Sequence, residues 1–143
     1  MMKMTENFEI IDTFIKDMSS ETPDVQTFLF VREKISAYQL NIDINSKALK
    51  NGIIEVNIIL KFTDKPEVLK KSYFEIIYTS VVKVNESVSD KKEMEKIILC
   101  DVPNKIYPAL EKIFINLLTD SGFPGIKFEK KVDFTELYKQ KSN

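Results

Sequence analysis

The chain has no histidine, one cysteine and three glycines among its 143 residues. Each scarcity closes a route to chemistry. Without histidine there is no Ser-His or Cys-His pair and no imidazole to titrate near neutral pH. A single cysteine, Cys100, cannot close an internal disulfide, and with no histidine beside it cannot assemble a structural zinc site. That usage fits a reducing compartment and predicts a cytoplasmic location. Gly52, Gly122 and Gly125 stand apart from one another, so neither Gly-x-Gly-x-x-Gly nor Gly-x-x-x-x-Gly-Lys-Ser/Thr is present to cradle a phosphate. Carboxylates remain for acid–base work, but no spacing among them predicts two acids converging in one pocket. The expectation is a protein that is not an enzyme and uses no cofactor or metal.

A charge of one sign is missing as well. Lys and Arg number 21 against 22 Asp and Glu, a formal net charge of -1, so no basic field exists to draw in nucleic acid. The apolar runs last only a few residues, short of the roughly 20 that a membrane helix needs, and no stable membrane insertion is expected. The opening MMKMTENFEI has no apolar stretch leading to a small-residue cleavage site, which predicts no secretion signal. Apolar residues at 43% and charged residues at 30% are the composition of an ordinary water-soluble chain. The length suits one domain over residues 1–143 with one core.

Strand patterns fill the first half. The first runs from about Phe8 to Asp17. In YQLNIDIN, Tyr38, Leu40, Ile42 and Ile44 alternate with polar residues, and Lys50-Asn51-Gly52 then marks a turn. IIEVNIILKF places Ile54, Val56, Ile58, Leu60 and Phe62 on one face. SYFEIIYTSVVKV does the same with Phe74, Ile76, Tyr78, Val82 and Val84. Short turns between consecutive strands favour an antiparallel meander.

The period then changes. Ser89 or Asp90 can cap a helix beginning KKEMEKIILC. Pro103 and Pro108 interrupt it, and an internal proline costs about 3 kcal/mol, so a break is expected near Asp101 to Asn104 with a restart beyond. Ile106, Leu110, Ile113, Phe114, Leu117 and Leu118 form a wide apolar stripe ended by Ser121-Gly122. Such a stripe suits either the protein's own core or contact with a second copy. A short last helix starts at Asp133, with Glu136 at capping-box spacing and Phe134, Leu137 and Tyr138 as its apolar stripe. The expected fold class is α+β, a four-stranded antiparallel sheet with a long broken helix and a short C-terminal helix on one face.

Between the first two strands lies DVQTFLFVREKISAY, apolar but without a clean period. Long irregular connections are often functional. Each large side chain of Phe28-Leu29-Phe30 left in water forgoes about 1.5–3 kcal/mol of burial, so these residues either cover the core or form an apolar surface for a ligand.

Taken in order along the chain, these segments resemble the SecB family of protein-export chaperones. FEIIDTFIKDMSSETP, Phe8 to Pro23, is similar to that family's first strand and its Lys-Asp-(aliphatic)-Ser-x-Glu-x-Pro exit, here Lys16, Asp17, Met18, Ser19, Glu21 and Pro23. YQLNIDIN and YFEIIYTSVVKV resemble its second and fourth strands, PNKIYP its Pro-Asn-x-(apolar)-aromatic-Pro helix start, and GFPGIKFEKKVDFTELY its closing segment. The chain differs from the pattern at Thr79-Ser80, where many relatives carry glycines, and at Lys131, where proline often precedes the closing Val-Asn-Phe.

The resemblance implies a dimer of dimers with the long helices at subunit interfaces. It implies that unfolded precursor polypeptides are held in apolar grooves, without ATP, and passed to the SecA motor ATPase. The client-binding residues it implies are Phe28, Leu29, Phe30 and Ile35 from the connection, with Phe134, Leu137 and Tyr138 from the last helix. SecA contact falls to Asp17, Glu21 and Glu75, with Tyr73 at a neighbouring apolar position. A second reading is a SecB-like chaperone dedicated to one client, such as the antitoxin of a toxin–antitoxin system, without SecA delivery. Two further readings are an α+β enzyme using paired carboxylates and a plain oligomeric structural module.

Overall fold

The computed structural model of the chain describes residues 7–128 and 132–141. Four strands, β1 (Phe8–Glu21), β2 (Gln39–Ala48), β3 (Ile53–Thr63) and β4 (Tyr73–Val84), form one antiparallel sheet in the order β1-β4-β3-β2. The short turns make β2, β3 and β4 a meander, as the spacing predicts. β1 lies beside β4, so β1 and β2 are the two edges. The chain between them must cross the end of the sheet, three interstrand steps of about 4.8 Å each.

The central strands follow their alternation. Ile54, Val56, Ile58, Leu60 and Phe62 of β3 and Phe74, Ile76, Tyr78, Val82 and Val84 of β4 are all buried on the inner face. β1 runs four residues beyond the expected end at Asp17, because Ser19, Ser20 and Glu21 pair with Glu75, Phe74 and Tyr73; pairing outweighs their weak intrinsic strand preference. Register shifts between Ile10 and Asp12 and between Ile15 and Asp17 mark two bulges, which keep the inward set of β1 in phase with β4 on both sides of each extra residue.

The crossing contains a helix that apolar periodicity did not reveal. α1 (Val25–Lys34) has only Thr27 and Val31 buried, four residues apart on one face. Its start is set by chemistry: Asp24 is the N-cap, and its carboxylate accepts from the Thr27 N–H at 2.7 Å. A 3-10 turn over Ile35–Ala37 then leads into β2.

The expected break in the long helix is instead a π-helical turn. α2 (Lys91–Lys96) passes through Ile97–Asp101 into α3 (Val102–Asp120) without interruption. The Val102 N–H reaches back five residues to the Ile97 carbonyl, and this change of register falls immediately before Pro103, which has no N–H to give the ladder. Pro108 sits inside the helix on its exposed side. Inward, Val102, Ile106, Leu110, Phe114 and Leu118 recur every four residues and are all buried. α4 (Phe134–Lys141) begins as its capping signal predicts, with Asp133 accepting from the Thr135 N–H at 3.0 Å.

Phe114 sits at the middle of the core, edge-on to Phe62 at 6.4 Å and stacked on Phe128 at 6.2 Å. Phe114→Ala is expected to destabilise the fold by about 3–5 kcal/mol. The check is the urea midpoint at unchanged denaturant slope.

Candidate functional site

The exposed face of α1 is one of the apolar surfaces of the fold. Leu29 is 46% and Phe30 39% exposed, and Val25 stands out beside them at 72%. All three are held on a capped helix. Phe28 points the other way, half-buried, with its ring 5.2 Å from that of Phe123. Ile35, in the turn that follows, is half-buried against the core.

The α4 residues form a second set. Phe134 is buried, edge-on to Tyr107 at 5.5 Å, and belongs to the core rather than to the open surface. Leu137 is exposed, and Tyr138 is half-buried with its hydroxyl donating to the Lys92 carbonyl at 3.4 Å. Beside them lies a pocket of about 600 Å³ between α3 and the connector to α4, walled by Pro108, Ile115, Phe128, Val132 and Phe134, with Glu111 and Lys112 among its polar residues. Burial, and next the nearby Glu111 carboxylate, push the pKa of the Tyr107 hydroxyl up.

The predicted client residues therefore fall at two ends of α3 rather than along one shared groove. Phe28 meets Phe123 just beyond the C-terminal end, whereas Thr135 of α4 bonds Cys100 and Asn104 near the N-terminal end. A 19-residue helix spans roughly 28 Å.

The sheet's other face carries the acidic set. Register puts Glu21 opposite Tyr73, Ser19 opposite Glu75 and Asp17 opposite Ile77, all on the side away from the helices. The Tyr73 hydroxyl donates to Glu75 Oε2 at 2.8 Å. Desolvation first, then that bond and the charges of Glu75 and Glu21, push the Tyr73 pKa up to about 12. The second bulge turns Lys16 onto this face, where it pairs with Glu55 at 2.8 Å. The Lys16 bond, followed by one from Asn57, holds the Glu55 carboxyl below its ordinary range.

Residues 2–143 match the family model described as Preprotein translocase subunit SecB. The chain belongs to the SecB family. It is 79% identical over 140 residues, 98% of this chain and 100% of the other, to a Pelagibacter ubique (strain HTCC1062) protein provisionally named protein-export protein SecB. The protein-export protein SecB of Methylocella silvestris is 26% identical over 129 residues, 90% of this chain and 78% of its own length. Among solved structures, a SecB-like chaperone of Mycobacterium tuberculosis, in complex with a ChAD peptide from the HigA1 antitoxin, superposes with a TM-score of 0.67 at 11% identity, covering 88% of this chain and 91% of that one. That likeness shows the fold.

Within this SecB fold, sequence reasoning missed part of the apolar surface. Leu40, Ile42 and Ile44, which alternation puts on one face of β2, are only half-buried, because β2 is an edge and alternation carries no information about which strands are edges. The pocket walls Pro108 and Ile115 were hidden similarly, since the stripe on α3 did not disclose what its far side faces. No helix among the described residues is long and apolar enough to cross a membrane.

The Tyr73–Glu75 pair has a testable signature. A tyrosine with a raised folded-state pKa contributes stability that is present below the unfolded value near 10 and lost as pH climbs from there to about 12. Glu75→Gln should bring the Tyr73 titration midpoint down towards 10, read by NMR of the labelled ring, and make that alkaline loss smaller, with its onset still set by the unfolded value.

Proposed function

We propose that this chain is an ATP-independent holding chaperone that binds unfolded or precursor polypeptides on the apolar surface around α1 and in the α3–α4 pocket, and delivers them to the SecA motor. The observation that carries the reading is the pair Leu29 and Phe30, left open to water on a helix fixed to a folded scaffold. An unfolded chain offers apolar side chains without fixed order, and an apolar surface gains from them by area rather than by pattern. Membership of the SecB family supports the same activity, and the work takes place in the cytoplasm. Catalysis has no part in it.

Self-assembly supplies several such surfaces along one client. β1 is a 14-residue edge strand with unpaired backbone groups and exposed Ile11, Phe14, Ile15 and Met18, and it suits pairing with a second copy in a dimer of dimers. The acidic sheet face of Asp17, Glu21 and Glu75, with Tyr73 between them, suits Lys and Arg groups on SecA, which gives steering and specificity that weaken with salt. Service to one dedicated client, such as an antitoxin, is the second reading. The antitoxin peptide held by the Mycobacterium tuberculosis relative favours it.

Replacing both Leu29 and Phe30 with serine should weaken binding of an unfolded polypeptide by roughly tenfold or more while the mass in solution stays the same. Undiminished affinity in the double variant rejects the α1 surface as the client site. Reversing Asp17 and Glu75 to lysine should weaken SecA binding by roughly tenfold, about 1.4 kcal/mol, with client binding intact. Unchanged SecA affinity favours the dedicated-client reading.

A further inference from the structure

The two edges of the sheet differ in charge. On β1 the side chains that point away from the helices are Glu9, Asp12, Phe14, Asp17, Ser19 and Glu21, which face every second residue of β4 from Lys83 to Tyr73. The carboxylates of that row are all exposed, and the row contains no lysine or arginine. From the β4 side Lys83 faces Glu9, while Glu75, opposite Ser19, adds a further acid. Lys16, the extra residue of the second bulge, reaches over β4 to Glu55 on β3 at 2.8 Å and so turns away from the open edge. The edge at β2 is balanced, since Asp43 and Lys47 both stand on its outward side.

An antiparallel pair that continues the sheet through β1 sets this row against the same row running the other way. Three registers keep at least five of its six rungs. Full overlap places Glu9 opposite Glu21. A shift of one rung places Asp12 opposite Asp17, on either side of a Phe14–Phe14 contact. The reverse shift places Asp12 opposite Glu21, on either side of an Asp17–Asp17 contact. Each register therefore sets carboxylate against carboxylate at least twice, by symmetry, and none sets a carboxylate against a cation. Like charges directly across a strand pair oppose the pairing. Cover for Ile11, Phe14, Ile15 and Met18 and satisfaction of the open backbone groups favour it.

We propose that the carboxylate row makes pairing of β1 with a second copy conditional on ionic strength: the two rows repel in dilute salt, and the pair tightens as salt screens them. The inference rests on the self-assembly reading of β1 and adds its regulation. Oppositely charged groups meeting between copies would give the reverse dependence, weakening as salt rises. Since a long client is held by several copies at once, ionic strength then sets how many apolar surfaces act on it together.

Subunit exchange reads the strength of the pair even where it stays intact on dilution. Donor-labelled and acceptor-labelled protein are mixed in sodium chloride from about 0.01 M to about 0.5 M, and the growth of energy transfer is timed. The exchange rate should fall roughly three- to tenfold over that range. Glu9→Gln combined with Asp12→Lys removes or reverses the facing acids in each of the three registers. That variant should exchange more slowly than the unaltered chain in dilute salt and lose or reverse the salt trend. Gln39→Lys combined with Asp43→Lys changes the net charge by the same amount on β2, and should behave as the unaltered chain does. An exchange rate that stays constant or rises with salt overturns the proposal. A β1 variant with an intact cooperative melt and an unchanged salt trend overturns it equally, as does a β2 variant that matches the β1 variant. Absence of energy transfer at every salt concentration means that the copies do not pair, which ends the self-assembly reading and this inference with it, while suppression of precursor aggregation tests the holding activity separately.

Discussion

The seam between α3 and the inner face of the sheet carries the rest of the structure. Val102, Ile106, Leu110, Phe114 and Leu118 repeat at four-residue intervals and meet the buried rows of β3 and β4. Each of these side chains supplies about 1.5–3 kcal/mol when fully removed from water, which makes the seam the largest contiguous block of apolar burial. Because α3 is rigid and long, its two ends become fixed points. Phe123 and Gly122 at one end receive α1, and Cys100 and Asn104 at the other receive α4 through Thr135.

A second constraint is topological. With β1 and β2 at opposite edges, the chain must pass across the end of the sheet, and a short helix over that end cannot bury all of its apolar residues. The consequence is that Leu29 and Phe30 stay in water on a stable support. The same arrangement leaves two strand edges with unpaired backbone groups, one of them lined by Ile11, Phe14, Ile15 and Met18. Exposed apolar area of this kind is a liability in a protein that acts alone and an asset in one that binds other chains or its own copies.

Much of this could be read from the residues. The alternation in β3 and β4 named the buried rows correctly, and Asp133 announced α4, because both signals are local and repeat with the period of the element. α1 was hidden because Phe28, Leu29, Phe30 and Val31 are consecutive apolar residues that serve different masters, one seated inward, two open to water and one buried. Its cap at Asp24 is a single residue and did not enter the reading of the sequence. The end of β1 at Glu21 depends on pairing with Tyr73, and the π-helical turn depends on how Pro103 is accommodated; neither is a property of a short window. The family was legible through ordered resemblance over the whole chain, but the geometry of the candidate site was not: nothing in the sequence placed Phe134 in the core or put α1 and α4 at different ends of α3.

The central claim is that apolar side chains held open at one end of a SecB fold capture polypeptides that have not folded. The most direct measurement dilutes a chemically denatured, slowly folding precursor into buffer without ATP and follows its aggregation by light scattering, with the protein absent or present in near-stoichiometric amount. The account predicts that scattering is suppressed and that precursor and protein migrate together on gel filtration. Aggregation that proceeds at the same rate and to the same extent in both samples contradicts it.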